Sequence, residues 1–247
     1  MKVIFLGTNG WYDTDTGNTI CTLIKASRCN IFLDAGFGLA KADRYLDPRN
    51  PTYIFLSHLH LDHVIGLHAL AKFKMPKGLF VIVPREMNSA LKTLFDSPYT
   101  MPPKVLAFPT SIKTISEELK IPGAVVQTRK LIHRGGCFGY RFTFDKKVIS
   151  YCTDTGVCDN FKILAKDADL LITECALRKG QDDSGWPHLD PVAAAKLAKE
   201  AKVKRMILTH FDAHNYKNKD QRKRAQEYAV KIFPKSIAAE DGVQITV

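Results

Sequence analysis

The chain has 247 residues, 45% of them hydrophobic and 25% charged, which excludes wholesale disorder and leaves enough apolar surface for a substantial core. Its formal charge of +11 favours polyanionic partners. No run approaches the ~20 apolar residues of a membrane span, and "MKVIFLGTNG" holds too short an apolar core for a signal peptide, so a cytoplasmic protein without a membrane partner is expected.

The opening runs "KVIFLG", "NTICTLIK" and "NIFLDAG" are β-rich, bounded by Gly, Asn and Asp, and read as antiparallel strands. "TYIFLS" and "LFVIVP" are continuous apolar runs, the pattern of strands buried on both faces. Between them "DHVIGLHALAKF" has a helical period, and "PREMNSALKTLF" starts a helix with proline in its first turn. The Pro-rich "SPYTMPPKVLAFPTSI" is expected as an irregular excursion, a lid over a site. "AVVQTRKLIH", "CFGYRFTF", "KVISYCTD" and "ADLLITE" continue as strands. "DPVAAAKLAKEAKV" follows as a helix capped by Asp190 with Pro191 at its first position. "RMILTHF" and "GVQITV" are the last strands. Each half runs β-rich and then βα, which predicts an α/β protein of two stacked sheets flanked by helices. No linker or low-complexity segment divides the chain, so one domain over 1–247 is expected.

The six cysteines, at 21, 29, 137, 152, 158 and 175, contain no CxxC pair and read as reduced, mostly buried thiols. From Lys196 to Lys235 there are twelve Lys or Arg against four Asp or Glu. That excess suits a phosphate-bearing partner. It equally suits the solvated face of a helix whose apolar stripe is Ala225, Tyr228, Ala229, Ile232 and Phe233.

The chemistry concentrates in "SHLHLDHVIG", which puts His58, His60, Asp62 and His63 within six positions directly after an apolar strand. His58 and His60 are two apart, so in extended chain they face one side. Asp62 and His63 fall where the chain turns into a helix and project elsewhere. One bend can therefore serve two neighbouring cations. Imidazole with carboxylate suits zinc first, and also manganese or iron.

"HLHLDH" resembles the signature of the metallo-β-lactamase fold, an αββα four-layer sandwich carrying a binuclear metal site. The resemblance runs over nearly the whole chain. "FLGTNG" and "LDAGFG" look like the family's opening strands, with Asp34 as the carboxylate behind the ligands. "IHRGGCFGYRF" resembles the segment bearing the third histidine, His133. "YCTDTGVCDN" is similar to the strand end whose aspartate, Asp154, bridges both ions, and "ILTHF" supplies His210. The implied sites are His58, His60 and His133 for one ion and Asp62, His63 and His210 for the other. The implied cofactors are two divalent ions, Zn2+ first and Mn2+ second.

"ITECALRKGQDDSGWPHLDPVAAAKLAKEAKVKRMILTHF" further resembles the ribonuclease Z branch and related phosphodiesterases. There a histidine ahead of an Ala-rich helix, here His188, stands beside the ions without ligating them. Glu174 on the preceding strand would hold it. The resemblance implies a catalytic set of His188, Asp62 and Glu174. Phosphodiester cleavage needs an attacking hydroxide, which two metal ions generate by lowering the pKa of a water. It also needs a proton for the leaving alkoxide, which a histidine near neutrality supplies.

Ribonuclease Z enzymes carry an arm, inserted between the third histidine and the bridging aspartate, that grips the tRNA elbow. Here His133 and Asp154 are separated by one hairpin turning at "FDKK", with no room for an arm. A small cyclic or nucleotide phosphodiester is therefore expected as readily as RNA ends. Thioester or lactone hydrolysis, or non-catalytic nucleic-acid binding, are the other readings of the fold, and homodimerisation stays open. His68 is expected to be structural. His214 is a candidate for the rim of the pocket, and Arg178 and Lys179 for contacts to phosphate.

Overall fold

The computed structural model describes residues 1–182 and 185–247. In chain order the elements are β1 (Lys2–Gly7), β2 (Asn9–Gly10), β3 (Cys21–Lys25), β4 (Asn30–Leu33), β5 (Thr52–Phe55), α1 (Leu61–Val64), β6 (Leu79–Pro84), α2 (Asn88–Leu94), β7 (Thr110–Ile115) and β8 (Glu118–Ile121). They continue as β9 (Ala124–Leu131), β10 (Cys137–Phe144), β11 (Lys147–Cys152), α3 (Asp159–Ala165), β12 (Leu170–Glu174), α4 (Pro191–Glu200), β13 (Met206–Thr209), β14 (Phe211–Asp212), α5 (Lys219–Val230), β15 (Ser236–Ala238) and β16 (Gln244–Thr246). Two seven-stranded mixed sheets form, ordered β16-β1-β3-β4-β5-β6-β7 and β15-β13-β12-β11-β10-β9-β8.

Alternation along each strand builds the layers. Val3 and Phe5 of β1 face inward with Ile31, Leu33 and Phe55, and meet Tyr140, Phe142, Tyr151 and Ile172 of the other sheet. Phe55 packs edge-on to Tyr140 and Phe142, with centroids 5.3 and 5.0 Å away. Ile4 and Leu6 face outward with Leu23 and Phe32, under Leu39, Leu67, Leu70 and Leu91 of the helical layer. On the opposite face Leu171, Met206 and Leu208 are covered by Phe161 and Leu164 of α3, Ala194 and Leu197 of α4, and Ala225 and Ala229 of α5. The result is the expected αββα sandwich.

Three local outcomes differ from the sequence pattern. The run after "HLHL" is one α-turn, α1, continued as a 3-10 helix over Ile65–Lys72, because Gly66 lies flat against Gly36, whose carbonyl oxygen would be 2.1 Å from an added Cβ. The segment expected as a lid seats Thr100, Met101 and Leu106 beside Leu67, His68 and Phe95 around a cavity of about 80 Å³ on the outer helical layer, and from Thr110 it becomes the edge strand β7. Arg222, in the basic C-terminal stretch, is buried and donates to Thr8, Asn9 and Thr16, pinning the loop after β1.

All six cysteines are unpaired, and five are buried. Among the described residues no helix is long and apolar enough to cross a membrane. The hairpin β10–β11 turns over Asp145 and Lys146 alone, with Phe144 paired to Lys147.

Candidate metal centre

Six of the eight histidines converge where strand ends of the two sheets meet. β5 leads into Ser57 and the bend that carries His58, His60, Asp62 and His63, while β9, β11, β12 and β13 end just before His133, Asp154, Cys175 and His210. Candidate ligands therefore come from both sheets, Cys175 not being one of them.

The imidazoles are oriented from behind. Ser57 hydroxyl donates to Asp34 Oδ2 at 2.8 Å and accepts from His58 Nδ1 at 3.0 Å. His63 Nδ1 donates to Asp34 Oδ2 at 2.8 Å, and Tyr151 hydroxyl donates to the same oxygen at 2.6 Å. His133 Nδ1 donates to the Pro187 carbonyl at 3.3 Å. Each bond fixes a tautomer whose other nitrogen offers a lone pair to the cluster. His60 Nδ1 then lies 2.9 Å from His58 Nε2 and 3.3 Å from His133 Nε2. His210 Nε2 lies 3.0 Å from His63 Nε2 and 3.2 Å from Asp62 Oδ2. With metal–nitrogen bonds of about 2.1 Å, neighbouring tetrahedral ligands stand roughly 3.4 Å apart, so both triads have the edge length of a coordination shell.

Asp154 lies between them. Its Oδ2 is 3.8 Å from His58 Nε2, 3.9 Å from His133 Nε2 and 3.5 Å from His63 Nε2, and its Oδ1 is 3.3 Å from His210 Nδ1. Asp154 Oδ1 and His210 Nδ1 are both buried without a hydrogen bond. Unpaired polar atoms in a protein interior are costly, and a cation would satisfy Asp154 Oδ1.

The charges fit the same occupant. Burial pushes the His58 imidazole well below its ordinary pKa, assisted by His63, and burial likewise lowers His60 and His133. These three are neutral, with lone pairs to give. Burial opposes charge on His63 and His210 too, but Asp62, Asp34 and Asp154 raise the first and Asp154 and Asp62 the second. Although burial resists their ionisation, Asp62 is held low chiefly by His63, and Asp154 by His210 and His63. The buried carboxylates are anionic and draw positive charge.

His188 stands beside both triads, its ring 4.9 Å from that of His133 and 6.0 Å from that of His210. Its Nδ1 lies 2.9 Å from each oxygen of buried Glu174. Burial disfavours the imidazolium, but Glu174 outweighs it and raises the pKa to about 9. Glu174 also accepts from the backbone N–H groups of Thr155, Ala176 and Leu189.

His214 is exposed at the rim, its ring 6.4 Å from Trp11. His68 lies on the outer helical layer. Arg178 Nε donates to the Asn215 carbonyl and Lys179 Nζ lies 4.6 Å over the Tyr228 ring, both lining a groove of about 220 Å³ with Arg224.

Sequence reasoning missed the glycines that make room for the ligands. A Cβ on Gly10 would lie 2.5 Å from His210 Cε1 and 2.7 Å from its Nδ1. Gly10→Ala is therefore expected to displace His210 and cut turnover by about 100-fold, the usual cost of an ångström of misplacement. Metal analysis alongside bis(p-nitrophenyl) phosphate kinetics checks this. A "GTNG" after a strand shows that glycine is present but not which ring it faces.

An αββα sandwich with a six-histidine, multi-carboxylate cluster at the joined strand ends defines the metallo-β-lactamase fold. Residues 29–211 match the beta-lactamase superfamily domain, and the chain belongs to that family. It is similar to ribonuclease Z of Metallosphaera sedula, 25% identical over 287 aligned positions covering 98% of this chain and 97% of the relative. Those positions outnumber the 247 residues here, so that relative carries stretches with no counterpart. It is also similar to the probable metallo-hydrolase YhfI of Bacillus subtilis, 26% identical over 89% of this chain and 92% of that one. The crystal structure of YhfI superposes with a TM-score of 0.82 at 21% identity, covering 99% of this chain and 98% of YhfI. The human short-form tRNase Z superposes with a TM-score of 0.78 at 23% identity, covering 100% and 99%. The chain is a ribonuclease Z-like member of the fold.

Proposed function

We propose that this protein is a metal-dependent hydrolase of phosphodiesters. It would hold two divalent ions, zinc first and manganese second, and act on RNA ends or on small cyclic or nucleotide phosphodiesters. His58, His60 and His133 would hold one ion, and Asp62, His63 and His210 the other, with Asp154 shared. When bound, such ions lower the pKa of a water to near neutrality and neutralise charge on the phosphate. Asp34 keeps the His63 lone pair facing the cluster through its bond to Nδ1. Glu174 holds the proton on His188 Nδ1 and, by its charge, a second on Nε2, which His188 gives to the leaving alkoxide.

The observation that carries this reading is a histidine held by a buried carboxylate beside two triads that share one aspartate. A thiolate leaving group needs little protonation, so a thioesterase would have little use for His188. The ribonuclease Z names of the relatives support phosphodiester chemistry, and the two-residue hairpin supports a substrate other than one gripped by an arm.

Elemental analysis of protein purified without chelator is expected to give about two metal ions per chain. Turnover is expected on bis(p-nitrophenyl) phosphate and on a 2′,3′-cyclic nucleotide or an RNA precursor, and not on a thioester. A metal content near zero, with no activity recovered on adding zinc or manganese, would overturn the proposal. Preferential thioester cleavage would move it to the other hydrolase branch.

A further inference from the structure

The chain has two tryptophans: the backbone of Trp11 reaches Asp62 of one triad while its ring packs 5.3 Å from Tyr12 and 6.4 Å from His214, and the ring of Trp186 stands beside two histidines of the other triad. Trp11 is 64% exposed, and its backbone N–H donates to Asp62 Oδ2 at 2.8 Å. Its φ of 75° is left-handed, a conformation a bulky residue adopts only where its surroundings impose it. Trp186 is 44% exposed, with its ring 5.9 Å from that of His60 and 6.1 Å from that of His133. The Arg134 guanidinium lies 5.1 Å from the Trp186 centroid. Leu61, between the ligands His60 and Asp62, is 68% exposed, and Ile132, just before His133, is 52% exposed.

Exposed apolar side chains scattered singly need no explanation, but several gathered around one site mark a surface that something covers. A metal-chelating phosphate has no use for them. A planar ring attached to either side of that phosphate does, since every nucleobase has a face to stack and stacking is tolerant of base identity. Arg134 adds a cation beside one platform, suited to the next phosphate of a polynucleotide, and the chain's net charge of +11 points the same way.

Resting on the phosphodiesterase reading above, we propose that Trp11 and Trp186 are base platforms flanking the cut. The substrate is then an internucleotide phosphodiester in single-stranded nucleic acid, with one neighbouring base on each indole. Base-free diesters lack this grip, and a cyclic mononucleotide can use only one of the two.

Each single tryptophan variant keeps one indole as reporter, which makes intrinsic fluorescence the readout. The probes are a methylene-phosphonate-linked dinucleotide, which resists cleavage, and the same backbone without bases. The dinucleotide is expected to quench both indoles. Its Kd should weaken about tenfold in Trp11→Leu and in Trp186→Leu, while Trp11→Phe and Trp186→Phe retain most of it, as stacking on any aromatic face requires. The base-free probe should bind equally weakly to all of them. Equal affinity for the two probes, or equal losses in the Phe and Leu variants, would overturn the proposal. Hydrolysis of bis(p-nitrophenyl) phosphate by the unaltered protein separates the two readings. If it is absent, the phosphodiesterase assignment fails, whereas turnover without base-dependent binding sinks the platforms alone.

Discussion

Asp154→Ala is expected to cost more metal and more activity than removal of any one histidine. On the proposed assignment each histidine would serve one ion, whereas Asp154 reaches residues of both triads, with Oδ2 within 3.5–3.9 Å of His63, His58 and His133 and Oδ1 3.3 Å from His210. The loss should exceed the roughly 100-fold that follows removal of an outer hydrogen-bond partner from a ligand. Asp154→Asn keeps the shape but removes the charge that would offset two divalent cations held close together, and in so buried a place their repulsion would go unsoftened. It should therefore resemble Asp154→Ala in metal content rather than the unaltered protein. Elemental analysis of both variants beside His58→Ala and His210→Ala checks the ranking. Full metal content and normal turnover in either would show that Asp154 is not shared.

His188→Ala should keep both metals and lose turnover selectively. On a diester with a poor alkoxide leaving group the fall should be about 10²–10⁴-fold, the worth of a positioned proton donor. On bis(p-nitrophenyl) phosphate it should shrink sharply, because nitrophenolate leaves without a proton. Glu174 raises the imidazolium pKa, whereas bound cations would lower it. Glu174→Gln should accordingly move the alkaline fall of kcat to lower pH, since the protonated acid is lost sooner. Steady-state kinetics on the two diesters across pH reads both effects. An equal deficit on both substrates would assign His188 to binding. Metal loss matching that of His210→Ala would make it a ligand, as its closeness to His133 and Asp154 allows.

The bend at residues 58–63 was legible because ligand chemistry there is local: two histidines at strand spacing and an Asp-His pair at the turn need no tertiary knowledge. His133, Asp154 and His210 were legible through resemblance, each lying just beyond a strand that its apolar run announces. Glu174 was legible through resemblance alone, because its hold on His188, 14 positions on, is a tertiary fact that no local pattern announces. Gly10 and Trp11 could not be read at all, because their partners His210 and Asp62 lie in distant segments. Arg222 reads as one more charge on a solvated helix, yet it is buried, and its two terminal amino groups donate to side chains of a loop more than 200 residues away in sequence. Proline content marked residues 97–112 as irregular chain without saying which layer they cover. Met101 and Leu106 settled against the outer helices instead.

The two-residue turn between β10 and β11 leaves no limb at that point to reach across a large substrate. A protein so built has no ruler at that turn, and on the phosphodiesterase reading it would not measure a cut from a landmark gripped there. Its discrimination would rest on the junction itself: the phosphate, the groups on either side of it and the ease with which the strand opens there. Such an enzyme would take fragments and whole molecules alike wherever that junction is bare, and its specificity in a cell would depend on which ends other machinery leaves uncovered.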